Sequence, residues 1–293
     1  MISGSPVQQN AGHHVRASVD KPAVLEVHDL GVTYGRGNRA VEAIAGVTLA
    51  VRAGEFLCVV GPSGCGKTTL LKTMSGLLAP TRGYVSVQGT RVEAPPPGLA
   101  LVFQEYTRSL MPWLTVKANV TFPLNARGTK KSEREDLARE ALKEVGLEGF
   151  EDKYPWQLSG GMQQRVAIAR AVAYQPSVLL MDEPFASVDA QTRADLEDLM
   201  LRVQVDTGVT VLFVTHDIDE AVYLGERVIV LSGRPTVVKK EVDIPLPYPR
   251  DQLDTRALPD FIRLRTDILA MIQAERKRGA EAAALDVAAD GDS

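Results

Sequence analysis

One stretch constrains the fold more than any other. It is Gly61-Pro62-Ser63-Gly64-Cys65-Gly66-Lys67-Thr68, which meets the spacing G-x-x-x-x-G-K-[ST] without a mismatch. The preceding Phe56-Leu57-Cys58-Val59-Val60 is a continuous apolar run, as a strand buried on both faces of a parallel sheet requires. The following residues contain no breaker and set Leu70, Leu71 and Met74 at helical spacing, with Gly76 as the stop. Strand, glycine-rich loop and helix in that order read as a phosphate loop. Phosphate oxygens must approach bare backbone N–H groups, and glycine lets the chain bend tightly enough to present them. The helix N-terminus adds favourable charge. Lys67 then reaches the β- and γ-phosphates, and the Thr68 hydroxyl coordinates Mg²⁺. At ordinary residue usage a chance match has a probability of roughly 1% in a chain this long.

Apolar strands with polar ends recur along the chain. Ser177-Val178-Leu179-Leu180-Met181 is closed by Asp182-Glu183, and Val209-Thr210-Val211-Leu212-Phe213-Val214 by Thr215-His216-Asp217. The carboxyl ends of strands are where open α/β sheets assemble ligand sites. Leu99-Ala100-Leu101-Val102-Phe103, ended by Gln104, and Gly83-Tyr84-Val85-Ser86-Val87 are further strands. Alternation over Val24-Leu25-Glu26-Val27, Val32-Thr33-Tyr34 and Val47-Thr48-Leu49-Ala50-Val51 predicts a small antiparallel layer ahead of the loop. Helices are predicted after Ser159 and Asp189 as N-caps, the second closed by Gly208, and after a capping box at Ser132-Glu133-Arg134-Glu135. Residues 1–22 lack periodicity and read as a disordered tail, and the Ala-rich, charged segment 274–293 as a flexible one. The expected fold class is α/β: a P-loop NTPase with a mixed, largely parallel core, an antiparallel layer and an inserted helical subdomain over about 106–165.

The 293 residues suffice for a full core, and a formal net charge of -4 argues against a general nucleic-acid binder. Charged or strongly polar residues interrupt every 18-residue stretch, and the first 20 residues lack an apolar run. Neither a transmembrane helix nor a secretory signal is expected, and the chain is placed in the cytoplasm. Cys58 and Cys65 form no disulfide framework. Cys58 reads as a small core residue, whereas Cys65, beside backbone amides and a helix start, is expected to have a stabilised, reactive thiolate. His13-His14 lacks a carboxylate or Cys framework and reads as solvated tail rather than metal site.

Leu158-Ser159-Gly160-Gly161-Met162-Gln163-Gln164-Arg165, followed at the usual interval by Leu179-Leu180-Met181-Asp182-Glu183-Pro184, resembles the signature and acidic motifs of ATP-binding cassette (ABC) ATPases. With Gln104 and His216 in order, the resemblance covers about residues 24–265. It implies that Tyr34 stacks on adenine and that Gly61, Pro62, Ser63, Gly64, Cys65, Gly66, Lys67, Thr68 and Thr69 hold the phosphates of ATP. It further implies that Thr68, Gln104 and Asp182 hold Mg²⁺, that Glu183 is the general base for water, and that His216 holds the γ-phosphate. Ser159, Gly160 and Gly161 would meet the ATP of a second copy, making a head-to-tail homodimer, and Asp189 would end the loop that communicates across it. Here that loop reads Ala186-Ser187-Val188-Asp189, so its first position carries no hydroxyl where the family often has Ser.

The family's helical subdomain receives a short helix from a membrane permease. Trp113 and Met111, in the stretch from Tyr106 to Leu114, are either part of that surface or core. The chain ends about 77 residues after His216, short of the β-rich regulatory domain of sugar-type importers. With Leu110-Met111-Pro112-Trp113-Leu114 and Pro245-Leu246-Pro247-Tyr248-Pro249-Arg250, it is similar to nitrate, sulfonate and taurine importer ATPases. That likeness implies a peripheral position on the inner membrane face, permease subunits, and indirectly a solute-binding protein. A soluble ABC ATPase acting on nucleic acid or ribosomes stays open as the alternative, as does an importer ATPase for another small solute. A P-loop kinase or GTPase should lack the signature stretch.

Overall fold

The computed structural model describes residues 21–104 and 109–290. His13-His14, nearly all of the expected amino-terminal tail, and Tyr106, Thr107 and Arg108 lie outside the described residues. Ten strands of the described residues form one sheet, in the order β5-β4-β1-β2-β10-β9-β3-β8-β7-β6. Strands β1 (Ala23–Tyr34), β2 (Val41–Arg52), β4 (Arg82–Val87) and β5 (Thr90–Arg91) pair antiparallel and make the expected layer. Strands β3 (Phe56–Val60), β6 (Leu99–Val102), β7 (Val178–Asp182), β8 (Thr210–Val214) and β9 (Arg227–Leu231) run parallel. Strand β10 (Thr236–Asp243) joins the halves, antiparallel to β9 and briefly parallel to β2.

The continuous apolar runs have a simple cause. Phe56, Cys58 and Val60 point into one core and Leu57 and Val59 into the other, and β7, β8 and β9 divide their residues the same way. Because side chains alternate across a strand, a strand covered on both faces has no polar phase. The first core is closed by helices α2 (Val116–Ala126), α3 (Lys131–Glu144), α4 (Gly160–Ala173) and α5 (Ala190–Thr207), and the second packs β3 and its neighbours against the antiparallel layer.

Local departures have local reasons. The two short strands expected before Tyr34 are one strand with irregular register, and Asp29, at φ 39°, marks the break. Helix α3 begins at Lys131 with Lys130 as an N-cap that makes no side-chain bond, so Ser132 lies inside the first turn and the expected capping box is not formed. Ser159 and Asp189 do cap α4 and α5, accepting from the N–H groups of Met162 and Thr192. Helix α6 (Ile218–Leu224) follows β8, and after α7 (Asp254–Ala257) helix α8 (Pro259–Asp290) continues past Ala274, with Glu275 buried and paired to Lys239 at 3.3 Å. No helix of the described residues is long and apolar enough to cross a membrane.

Candidate active site

Strand β3 delivers residues 61–66 to the N-terminus of helix α1 (Lys67–Met74). Gly64 at φ 74° and Gly66 at φ 110° take left-handed backbone that a side chain would strain, and this turns the loop around a cavity of about 430 Å³. Ser63, Gly64, Lys67, Thr68 and Thr69 line it. The Lys67 side chain is buried, and its Nζ donates to the carbonyls of Gly61 at 3.1 Å and Pro62 at 3.2 Å. The ammonium therefore arches over the loop in place, without waiting for a ligand. Tyr34, half-exposed at the end of β1, meets the Thr69 hydroxyl at 3.2 Å and so stands at the rim.

The ends of β7 and β8 face this loop. Thr68 Oγ1 lies 3.4 Å from Asp182 Oδ1. Burial pushes the Asp182 carboxyl above its ordinary range, the Thr68 hydroxyl pulls it down, and Glu183 beside it pushes it up again. A hydroxyl and a buried, under-compensated carboxylate are a fitting donor pair for a hard divalent cation. Glu183 adopts φ 43°, held by its N–H bond to the carbonyl of Val214 at 2.8 Å. A non-glycine residue in that region is uncommon and costs energy. The turn aims its carboxylate so that Oε2 is 3.3 Å from Gln104 Nε2 and 2.9 Å from His216 Nδ1, with Oε1 3.9 Å from Lys67 Nζ. Three residues separated by up to 149 positions in the chain thus converge on the carboxylate of a fourth.

Ser159 and Gly160 do not line this cavity; they stand exposed at the start of α4. Their neighbour is the first turn of α5. A Cβ added to Gly161 would lie 2.4 Å from Thr192 Cγ2, and Thr192 is held by Asp189 through its hydroxyl at 2.7 Å and its N–H at 3.0 Å. Those bonds also lower the Asp189 carboxyl below its ordinary range. Gly161→Ala is therefore expected to displace the start of α4 and to lower stability by about 1–3 kcal/mol, the usual cost of overpacking. Thermal unfolding would show it; an unchanged midpoint would mean that the two helix starts are not in contact.

Comparison with known proteins decides what this arrangement is. The family model described as ABC transporter matches residues 44–186. An uncharacterized ABC transporter ATP-binding protein of Methanocaldococcus jannaschii is 49% identical over 251 residues, covering 86% of this chain and 92% of the relative. The chain belongs to the ABC transporter ATP-binding protein family. A nitrate import ATP-binding protein of Synechocystis is 40% identical, covering 89% of this chain and 99% of that protein. A taurine import ATP-binding protein of Roseobacter denitrificans is 42% identical, covering 85% and 93%. Among solved structures, a dimeric ABC transporter cassette matches with a TM-score of 0.66 and 35% identity over 75% of this chain and 98% of that one. The same cassette bound to ADP and Pi after hydrolysis matches equally well. The chain is an ATP-binding, ATP-hydrolysing cassette.

Two features of this ABC cassette depart from the sequence reading. Cys65 is buried in the second core, and burial pushes its thiol up, more than Lys67 and the loop amides pull it down. The side chain points away from the anion-binding face of its own backbone, which corrects the expected reactive thiolate. Arg234, on the turn after β9, lines the phosphate cavity and places a second cation there. A lone Arg before a Pro carries no motif by which a sequence could mark it.

Proposed function

We propose that this chain is the ATP-hydrolysing subunit of an ABC importer, working as a homodimer against a membrane permease. The Glu183 carboxylate, held between Gln104 and His216 above the phosphate loop, carries the reading. In this reading Lys67 and the loop amides bind the β- and γ-phosphates, joined by Ser63, Gly64, Gly66 and Thr69. Tyr34 supports the adenine. Glu183 accepts a proton from water as it attacks the γ-phosphorus, while His216 keeps the transferring group in place. Phosphoryl transfer is catalysed mainly by such positioning and charge neutralisation. Thr68, Asp182 and Gln104 would hold Mg²⁺, which supplies positive charge against the phosphate oxygens when bound. The exposed helix start at Ser159, Gly160 and Gly161, with Asp189 beside it, offers its N–H groups to the γ-phosphate of a second copy.

Trp113 supports a membrane partner. It is 72% exposed, on a turn that the buried Asn119 clamps through the N–H and carbonyl of Met111 and the carbonyl of Leu114. Beside it lies a groove of about 280 Å³ lined by Leu99, Leu101, Met111, Phe122, Arg170 and Tyr174, fit for a short amphipathic helix. The likeness to nitrate and taurine import proteins supports a small solute of the nitrate, sulfonate or taurine type, delivered by a binding protein outside the membrane, with the chain peripheral on the inner face. Co-purification of the tagged chain from detergent-solubilised membranes is the test. Recovery of a multi-span permease is expected; recovery of only soluble or nucleic-acid partners would overturn the importer reading.

A further inference from the structure

His216 makes no hydrogen bond or ion pair with Ser159, Gly160, Gly161 or Asp189, the residues read as meeting the second copy; its side-chain partner is Glu183. The first turn of α5 bridges the gap. Arg193 sends its guanidinium three ways: Nη2 to the carbonyl of Val188 at 3.5 Å, Nη1 to Asp217 Oδ2 at 3.1 Å, and Nε toward Glu220 Oε1 at 3.5 Å. Val188 directly precedes Asp189, the end of the cross-dimer loop. Asp217 directly follows His216.

The far side of His216 is held by the same network. Thr215 Oγ1 donates to the buried Glu220 Oε2 at 2.5 Å and accepts from the N–H of Asp217 at 3.0 Å. Asp217 Oδ1 in turn accepts from the N–H groups of Asp219 and Glu220, capping α6. The backbone on both sides of His216 is thus fixed to groups that converge on one side chain of α5.

We propose that Arg193 is a positioning residue that couples the loop ending at Asp189 to His216 within one chain, so that displacement of the loop changes the reach of His216 toward Glu183. The proposal rests on the reading of Glu183 and His216 given above. Arg193 does not line the phosphate cavity and acts only through its partners. A Lys could keep one of its contacts but not the planar fork that serves three at once.

Glu220 supplies a signature that a merely structural role would not produce. Its carboxyl is pushed up to about 7, first by burial, with the Thr215 hydroxyl and Arg193 pulling it down and Asp217 and Glu197 pushing it up. Cys58 of β3 also faces it. If ionised Glu220 holds the network, turnover falls as pH drops through that value. Removing Arg193 takes away a cation that lowers it, so the carboxyl rises further and the acid limb moves to higher pH.

The test compares wild type, Arg193→Lys and Arg193→Gln for ATP turnover and KM across the acid and neutral range. Arg193→Gln is expected to lose turnover by roughly tenfold, the size of one charge-assisted contact, with KM changed by no more than about twofold. Its acid limb should lie at higher pH, with Arg193→Lys between it and wild type. Turnover like that of wild type, a loss that falls equally on KM, or an unmoved acid limb overturns the proposal. If Arg193→Gln does not fold, Arg193→Lys against wild type decides by the same criteria. Failure of the wild-type protein itself to turn over ATP would instead refute the reading of the site, and no Arg193 variant is needed to see it.

Discussion

Glu183→Gln is expected to lower ATP turnover by about 10²–10⁴-fold, the usual worth of a positioned general base, while leaving ATP affinity within a few-fold. The amide is nearly the same shape and can stay between Gln104 and His216, which flank Oε2 at 3.3 and 2.9 Å. It cannot take a proton from water. Its neutrality also removes a negative charge from beside the incoming γ-phosphate, so binding has no electrostatic reason to weaken. The ATP-bound pair of chains should therefore accumulate. Phosphate release and equilibrium nucleotide binding, measured on the same preparation, separate the two effects. Unchanged turnover would place the base elsewhere.

Lys67→Ala is expected to fail at the earlier step. The ammonium is buried and pre-set over the loop by the carbonyls of Gly61 and Pro62, so its contact with phosphate needs little reordering. Loss of one charge-assisted contact of about 2–3 kcal/mol corresponds to roughly 30–150-fold in Kd for ATP. The lysine sits at the cavity wall and fills no hydrophobic core, so the fold should survive, as a thermal unfolding curve would record. An unchanged affinity would mean that Lys67 does not reach the phosphates. Opposite patterns in the two variants, affinity kept in one and lost in the other, distinguish a base from a binding group.

The sequence carried the central part of the fold because that part obeys short-range rules. A strand buried on both faces cannot hide its apolar run, and the glycines of the phosphate loop are demanded by backbone angles rather than by partners. The site was legible for a different reason: Gln104, Asp182, Glu183 and His216 each end a strand or lie beside one, and parallel strands of one sheet bring such ends to the same edge. What escaped was set by partners distant in the chain. The direction of the Cys65 side chain depends on which core the loop turns it into, and the loop's anion-binding amides gave the opposite expectation. Ser132 had the residues of a capping box, but the helix starts at Lys131, two residues earlier than that box requires, and Lys130 takes the cap position. Arg193 looks like any helix-surface arginine until β8 and α6 bring Asp217 and Glu220 against it. Trp113 was equally consistent with core and surface, because nothing local records that Asn119 would hold its turn outward.

The ATP-driven pairing of two chains is tested most directly by the molar mass of the Glu183→Gln chain in solution, with Mg²⁺, in the absence and presence of ATP, together with the amount of ATP bound. Separate or transiently paired chains are expected without nucleotide and a stable pair holding two ATP molecules with it, as follows if the Ser159 helix start of each copy completes the phosphate site of the other. A chain that binds ATP at saturation and remains single would contradict it.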